Sequence, residues 1–140
     1  MKGGKALTLI ELMVVIMIVG ILAAVAVTIM RGRIDSAKWS EANTTAGSIK
    51  SAVRTYIAEK GPNFDHSGIE TTLDTQATYE ALGFTANDLD GACFNQEDYS
   101  ISNVNANNGT CVITAVSSVE DGPSGTGTLA TDGTWSISVD

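Results

Sequence analysis

No lysine or arginine occurs after Lys60. Residues 61–140 set twelve Asp and Glu against that absence, so this part carries −12, the first sixty positions +4 and the whole chain −8. A chain this acidic lacks the basic footprint of a dedicated nucleic-acid binder, and no specific nucleic acid is expected as a partner. Cysteine is scarce as well: Cys93 and Cys111 are the only two, which excludes a disulfide-dense scaffold and a Cys₄ zinc site. Histidine occurs once, and His66, beside Asp65, is expected at the surface. No Ser/His/Asp set, paired-carboxylate cleft, phosphate loop or reactive thiol is legible. Catalysis, a cofactor and a metal are therefore not expected. Aromatics make up only 6% of the chain. Between residues 7 and 60 they are Trp39 and Tyr56, about 25 Å apart along a helix, too sparse for a continuous aromatic stack.

What is present is one apolar run. Leu12 to Met30 carries no charge, and only Gly20 and Thr28 are not plainly apolar. As a helix at about 1.5 Å per residue it spans roughly 28 Å, close to the ~30 Å hydrocarbon core of a bilayer. A cleaved secretory signal is the competing reading, since Ala23-Ala24-Val25-Ala26 resembles its cleavage site. The run begins too early for that and continues past it. Glu11 stands at its edge, where a carboxylate is costly unless a cation answers it.

Lys5-Ala6-Leu7-Thr8-Leu9-Ile10-Glu11-Leu12-Met13-Val14-Val15-Ile16, followed by Gly20-Ile21-Leu22-Ala23-Ala24, resembles the N-terminus of type IV pilins and related pseudopilins. The resemblance implies that 1–6 is a leader, that a prepilin peptidase cuts between Ala6 and Leu7, and that the new Leu7 amine is methylated. It places Glu11 at the fifth mature position, paired with the N-terminal ammonium of Leu7 in a neighbouring subunit. It further implies membrane residence before assembly, an inner-membrane assembly platform and a helical homopolymer outside the cell, serving adhesion, motility or DNA uptake. Two departures stand out. Ala6 replaces the family's Gly, though Ala is also small; a cut after Gly4 would break the Glu11 offset. Thr28 replaces a frequent Pro, and its hydroxyl can bond back one turn and only bend the helix, so less local melting is expected between Gly20 and Thr28.

From Arg31 the pattern becomes amphipathic, with Ile34, Lys38, Ala42, Ile49, Val53, Tyr56 and Ile57 at 3–4 spacing. Glu59-Lys60-Gly61-Pro62 is a helix stop, and Asn43-Thr44-Thr45 with Gly47 marks a weak middle. One helix of about 80 Å over Leu7–Lys60 is expected. In the acidic part, Thr75–Leu82 reads as a short helix, Tyr99–Val104 and Cys111–Val116 as strands, and Leu129–Ile137 as a hairpin turning at Asp132-Gly133. The fold class is α+β, with a long N-terminal helix and a C-terminal antiparallel sheet packed on its second half. Four segments follow: leader 1–6, transmembrane or filament-core helix 7–30, amphipathic helix 31–60 and acidic head 61–140.

Cys93 and Cys111, flanking a strand-and-turn segment of an exported head, are expected to form a disulfide. Asp88-Leu89-Asp90-Gly91 with Glu97 has the late spacing of a calcium loop, but Ala86 occupies its first ligand position, and a solvated acidic turn is expected. Asn43 and Asn108 each open an Asn-x-Thr triplet. Mutual repulsion of acidic heads requires cations below them, for which Arg31, Arg33, Lys38, Lys50 and Arg54 are the candidates. The leading expectation is the major subunit of a type IV pilus. The alternatives are a type II secretion pseudopilin, which forms a short periplasmic piston, and a membrane-tethered monomeric binding protein. The expected disulfide and the lack of a calcium-binding tail favour the pilus over the pseudopilin.

Overall fold

The computed structural model describes residues 6–139. Helix α1 spans Leu9–Lys60 and α2 spans Gln76–Ala81. Four strands follow: β1 Tyr99–Asn105, β2 Thr110–Ala115, β3 Thr126–Leu129 and β4 Trp135–Ser138. They form one antiparallel sheet in the order β1-β2-β3-β4. The α+β architecture, with a long first helix and a later sheet, is the expected one.

The chain divides into two compact units, one ending at Ser36 and one beginning at Ala37. The described part of the first is the apolar length of α1, where every large side chain from Leu7 to Met30 is exposed. Helical hydrogen bonding is unbroken through Gly20 and Thr28. The Thr28 hydroxyl donates to the Ala24 carbonyl at 3.2 Å, the back-bond expected from the sequence.

In the second unit α1 buries Trp39, Ala42, Ala46, Ile49, Lys50, Val53 and Ile57, a stripe at 3–4 spacing. Ile34, expected on it, is exposed, Lys38 is half-buried, and the stripe begins at Trp39. The anticipated weak middle stays helical, with Thr44, Ser48, Ser51 and Thr55 each donating to the carbonyl four residues back. At the stop, Gly61 adopts φ +84° and its N–H reaches the Ile57 carbonyl at 2.8 Å. That left-handed cap costs a glycine little, and Pro62 cannot continue the helix.

Alternation sets the sheet face. Tyr99, Ile101, Cys111, Ile113, Ala115 and Leu129 are buried in one cluster with the α1 stripe, Ile69, Leu73 and Phe94. Residues 71–73 cover the outer edge of β1, with Leu73 donating to the Tyr99 carbonyl and Ile101 to that of Thr71. The expected hairpin runs from Leu129↔Trp135 through the Asp132-Gly133 turn. Strand β3, however, already begins at Thr126. There it pairs with Ser138, and at the next residue, Gly127, a Cβ would lie 2.5 Å from the Trp135 ring and 2.7 Å from that of Trp39. The glycine lets two indoles close over the strand. Trp39 is also 5.5 Å from Phe94, ring centre to ring centre, and Phe94 is 6.0 Å from Tyr99.

Candidate assembly site

Before α1 begins, Ala6, Leu7 and Thr8 lie outside the helix and are exposed. The expected scissile bond between Ala6 and Leu7 is therefore in accessible, non-helical chain, while Met1–Lys5 of the expected leader lie outside the described residues. Thr8 is the helix N-cap, since its carbonyl accepts the Leu12 N–H at 3.2 Å. Three further bonds tie it to Glu11. The Thr8 N–H donates to Glu11 Oε2 at 2.9 Å, the Thr8 hydroxyl donates to the same oxygen at 3.1 Å, and the Glu11 N–H donates to Thr8 Oγ1 at 3.2 Å. This is a reciprocal capping box.

The box changes the reading of Glu11. From sequence the carboxylate lacked any local partner; in the structure Thr8 supplies two donors, and the first turn of α1 adds the positive end of the helix dipole. The signal was legible as Thr8-Leu9-Ile10-Glu11 ahead of an apolar run, the Thr-x-x-Glu signature of a helix start. A carboxylate keeps acceptor capacity beyond these two bonds, so a cation can still approach. Leu7, Leu9 and Ile10 around it are at least 72% exposed, which leaves that approach open.

The expected disulfide is not formed: Cys93 and Cys111 are free thiols. Their placement is the reason. The Cys93 N–H donates to Glu41 at 3.0 Å, and its carbonyl accepts the Ser117 hydroxyl at 2.6 Å. Cys111 instead sits in β2 near Lys50 and Arg54. Ser117 lies beyond the far end of β2 from Cys111, the strand's second residue, roughly 20 Å away in extended chain at about 3.3 Å per residue. A disulfide needs Cα atoms only about 4.4–6.8 Å apart. Burial, partly offset by Lys50 and Arg54, pushes the Cys111 thiol above its ordinary range.

The helix cations also differ from expectation. Lys38 Nζ donates to the Asp121 carbonyl at 2.6 Å, Lys50 Nζ to those of Ala130 at 2.6 Å and Thr131 at 3.1 Å, and Arg54 Nε to that of Gly109 at 3.2 Å. Each holds a different loop of the sheet, and Lys50 is buried. These bonds tie the three cations to loops of the same chain; Arg31 and Arg33 are exposed. His66 is buried rather than at the surface: Nε2 lies 3.0 Å from the Gly61 carbonyl, with Tyr56 and Phe64 rings against it. Asp88 and Asp90 accept the Thr85 and Gln96 N–H groups, which makes them turn caps. Among the described residues no group of three His, Cys, Asp or Glu is placed to hold a metal.

Also among them, α1 is one helix long and apolar enough to cross a membrane. Residues 1–27 match the family described as the prokaryotic N-terminal methylation motif. The chain is 47% identical over 57 residues to the fimbrial protein EcpC of Eikenella corrodens, covering 41% of this chain and 37% of that protein. It is 42% identical over 78 residues to a fimbrial protein of Neisseria meningitidis serogroup A, covering 54% and 46%. A fimbrial protein of Moraxella nonliquefaciens is 47% identical over 55 residues, covering 39% and 36%. The chain thus spans less than half the length of these curated relatives. No solved structure gives a significant match. This motif, this helix-and-sheet fold and these relatives make the chain similar to fimbrial proteins and support a likeness to the type IV pilin family.

Proposed function

We propose that the chain is the major subunit of a type IV pilus, polymerising through residues 7–30 into an extracellular filament. The observation that carries this reading is the apolar length of α1, exposed on every side from Leu7 to Met30 with Glu11 as its one charge. Such a surface needs lipid or other copies of itself to cover it. The precursor rests in the cytoplasmic membrane. Prepilin peptidase cuts between Ala6 and Leu7 and methylates the Leu7 amine, and the inner-membrane platform then adds the subunit to the filament.

In the filament, the Leu7 ammonium of one copy faces Glu11 of its neighbour. In an apolar surround such a pair is far stronger than in water, and a carboxylate left unpaired is strongly destabilising. A subunit added out of register loses the pair, so Glu11 checks register as well as adding attraction. Free thiols remove the disulfide as an argument for a pilus over a secretion pseudopilus; the fimbrial relatives now carry that preference. The test is Glu11→Ala in the producing cell, with subunit followed in membrane and sheared-surface fractions. Membrane subunit without surface filaments is expected. Normal filaments would overturn the assembly role.

A further inference from the structure

We propose that Asn108 is a self-modifying site, converting to aspartate and isoaspartate through attack by the backbone nitrogen of Gly109. Asn108 is exposed in the turn between β1 and β2, and of the eight asparagines it alone precedes glycine. A side chain on the following residue would crowd the attacking nitrogen; Gly109 has none. The surroundings favour the step. The Thr110 hydroxyl donates to Asn108 Oδ1 at 2.7 Å, which draws electron density from the amide carbon as an oxyanion donor does. Arg54, bonded to the Gly109 carbonyl at 3.2 Å, places positive charge beside the turn and favours the deprotonated amide nitrogen.

In the reaction, a solvent base removes the Gly109 N–H proton. The nitrogen attacks Asn108 Cγ, forming the Gly109 N–Cγ bond as the Cγ–Nδ2 bond breaks, and Nδ2 leaves as ammonia after taking a proton from water. The product is a five-membered cyclic imide. Water then adds to either imide carbonyl and breaks that carbonyl's C–N bond, giving aspartate or isoaspartate. Nothing is oxidised or reduced. Either product adds a carboxylate to a head without a cation of its own beyond Lys60, next to Arg54. Isoaspartate also lengthens the main chain in the turn.

The test ages the full chain in detergent at neutral and alkaline pH and maps it with chymotrypsin, because no trypsin site follows Lys60. Amide-to-acid conversion concentrated at Asn108 and faster at the higher pH is expected. Thr110→Val is expected to slow it by roughly an order of magnitude, about 1.4 kcal/mol of barrier. Conversion that is absent, spread evenly over the asparagines or blocked by a glycan on Asn108 would overturn the proposal. An unchanged rate in Thr110→Val would overturn the role of that hydroxyl.

Discussion

Replacing Glu11 by Gln separates its two roles. Glu11 Oε2 accepts the Thr8 N–H at 2.9 Å and the Thr8 hydroxyl at 3.1 Å, and a Gln amide oxygen can accept both. The return bond from the residue 11 N–H to Thr8 Oγ1 involves no side chain of residue 11. Gln therefore keeps the helix start and deletes only the charge, whereas Ala deletes both, at about 1 kcal/mol for the cap. Breaking a buried pair by removing one partner costs about 3–5 kcal/mol, because the other charge stays behind. At 1.4 kcal/mol per tenfold, subunit addition in Glu11→Gln weakens by roughly two to three and a half orders of magnitude. The assay counts filaments by electron microscopy and compares sheared with membrane-retained subunit for wild type, Gln and Ala. Both variants are expected in the membrane and nearly absent from the sheared fraction. Wild-type filament numbers in Gln beside a loss in Ala would refute the pairing and leave Glu11 as a helix cap alone.

Three further predictions concern the second unit. Gly127→Ala forces a methyl group into the rings of Trp39 and Trp135 and should lower stability by about 1–3 kcal/mol, read by denaturant titration of tryptophan fluorescence; no change would contradict the packing. Without reductant the denatured chain should titrate two free thiols, with Cys111 alkylating slowly in the folded state; a missing thiol pair would restore the disulfide. Burial, with the Glu41 and Asp98 carboxylates adding and the Thr45 hydroxyl opposing, pushes the Tyr99 phenol from its ordinary 10.0 up to about 12. The unfolded chain then loses that proton first, so stability should fall as pH rises from about 10 to 12, and Tyr99→Phe should flatten the decline.

Patterns local in sequence were legible, and those set by tertiary neighbours were not. The stop at Lys60-Gly61-Pro62 and the turn at Asp132-Gly133 each rest on a few adjacent residues with fixed backbone preferences. The Thr28 back-bond is likewise one turn of helix. The capping box is equally local, since Thr8 and Glu11 stand three residues apart at the start of α1. Strand β3 was hidden by Gly125 and Gly127, which read as a loop until two distant indoles account for the second of them. The cysteines were paired by elimination, but which level of α1 each one meets depends on the sheet register. Lys50 reads as a surface cation in any helical pattern, yet its stem lies in the core and its ammonium reaches the β3–β4 loop. His66 is drawn inward in the same way by the end of α1.

The central claim, that this chain is processed at Leu7 and assembled through it, is tested most directly by the intact mass of protein sheared from the cell surface. The account predicts loss of residues 1–6, gain of one methyl group on the Leu7 amine and a mass unchanged by reductant, since both thiols are free. Surface protein that retains Met1, or begins at Lys5 with Glu11 displaced from its offset, would contradict it.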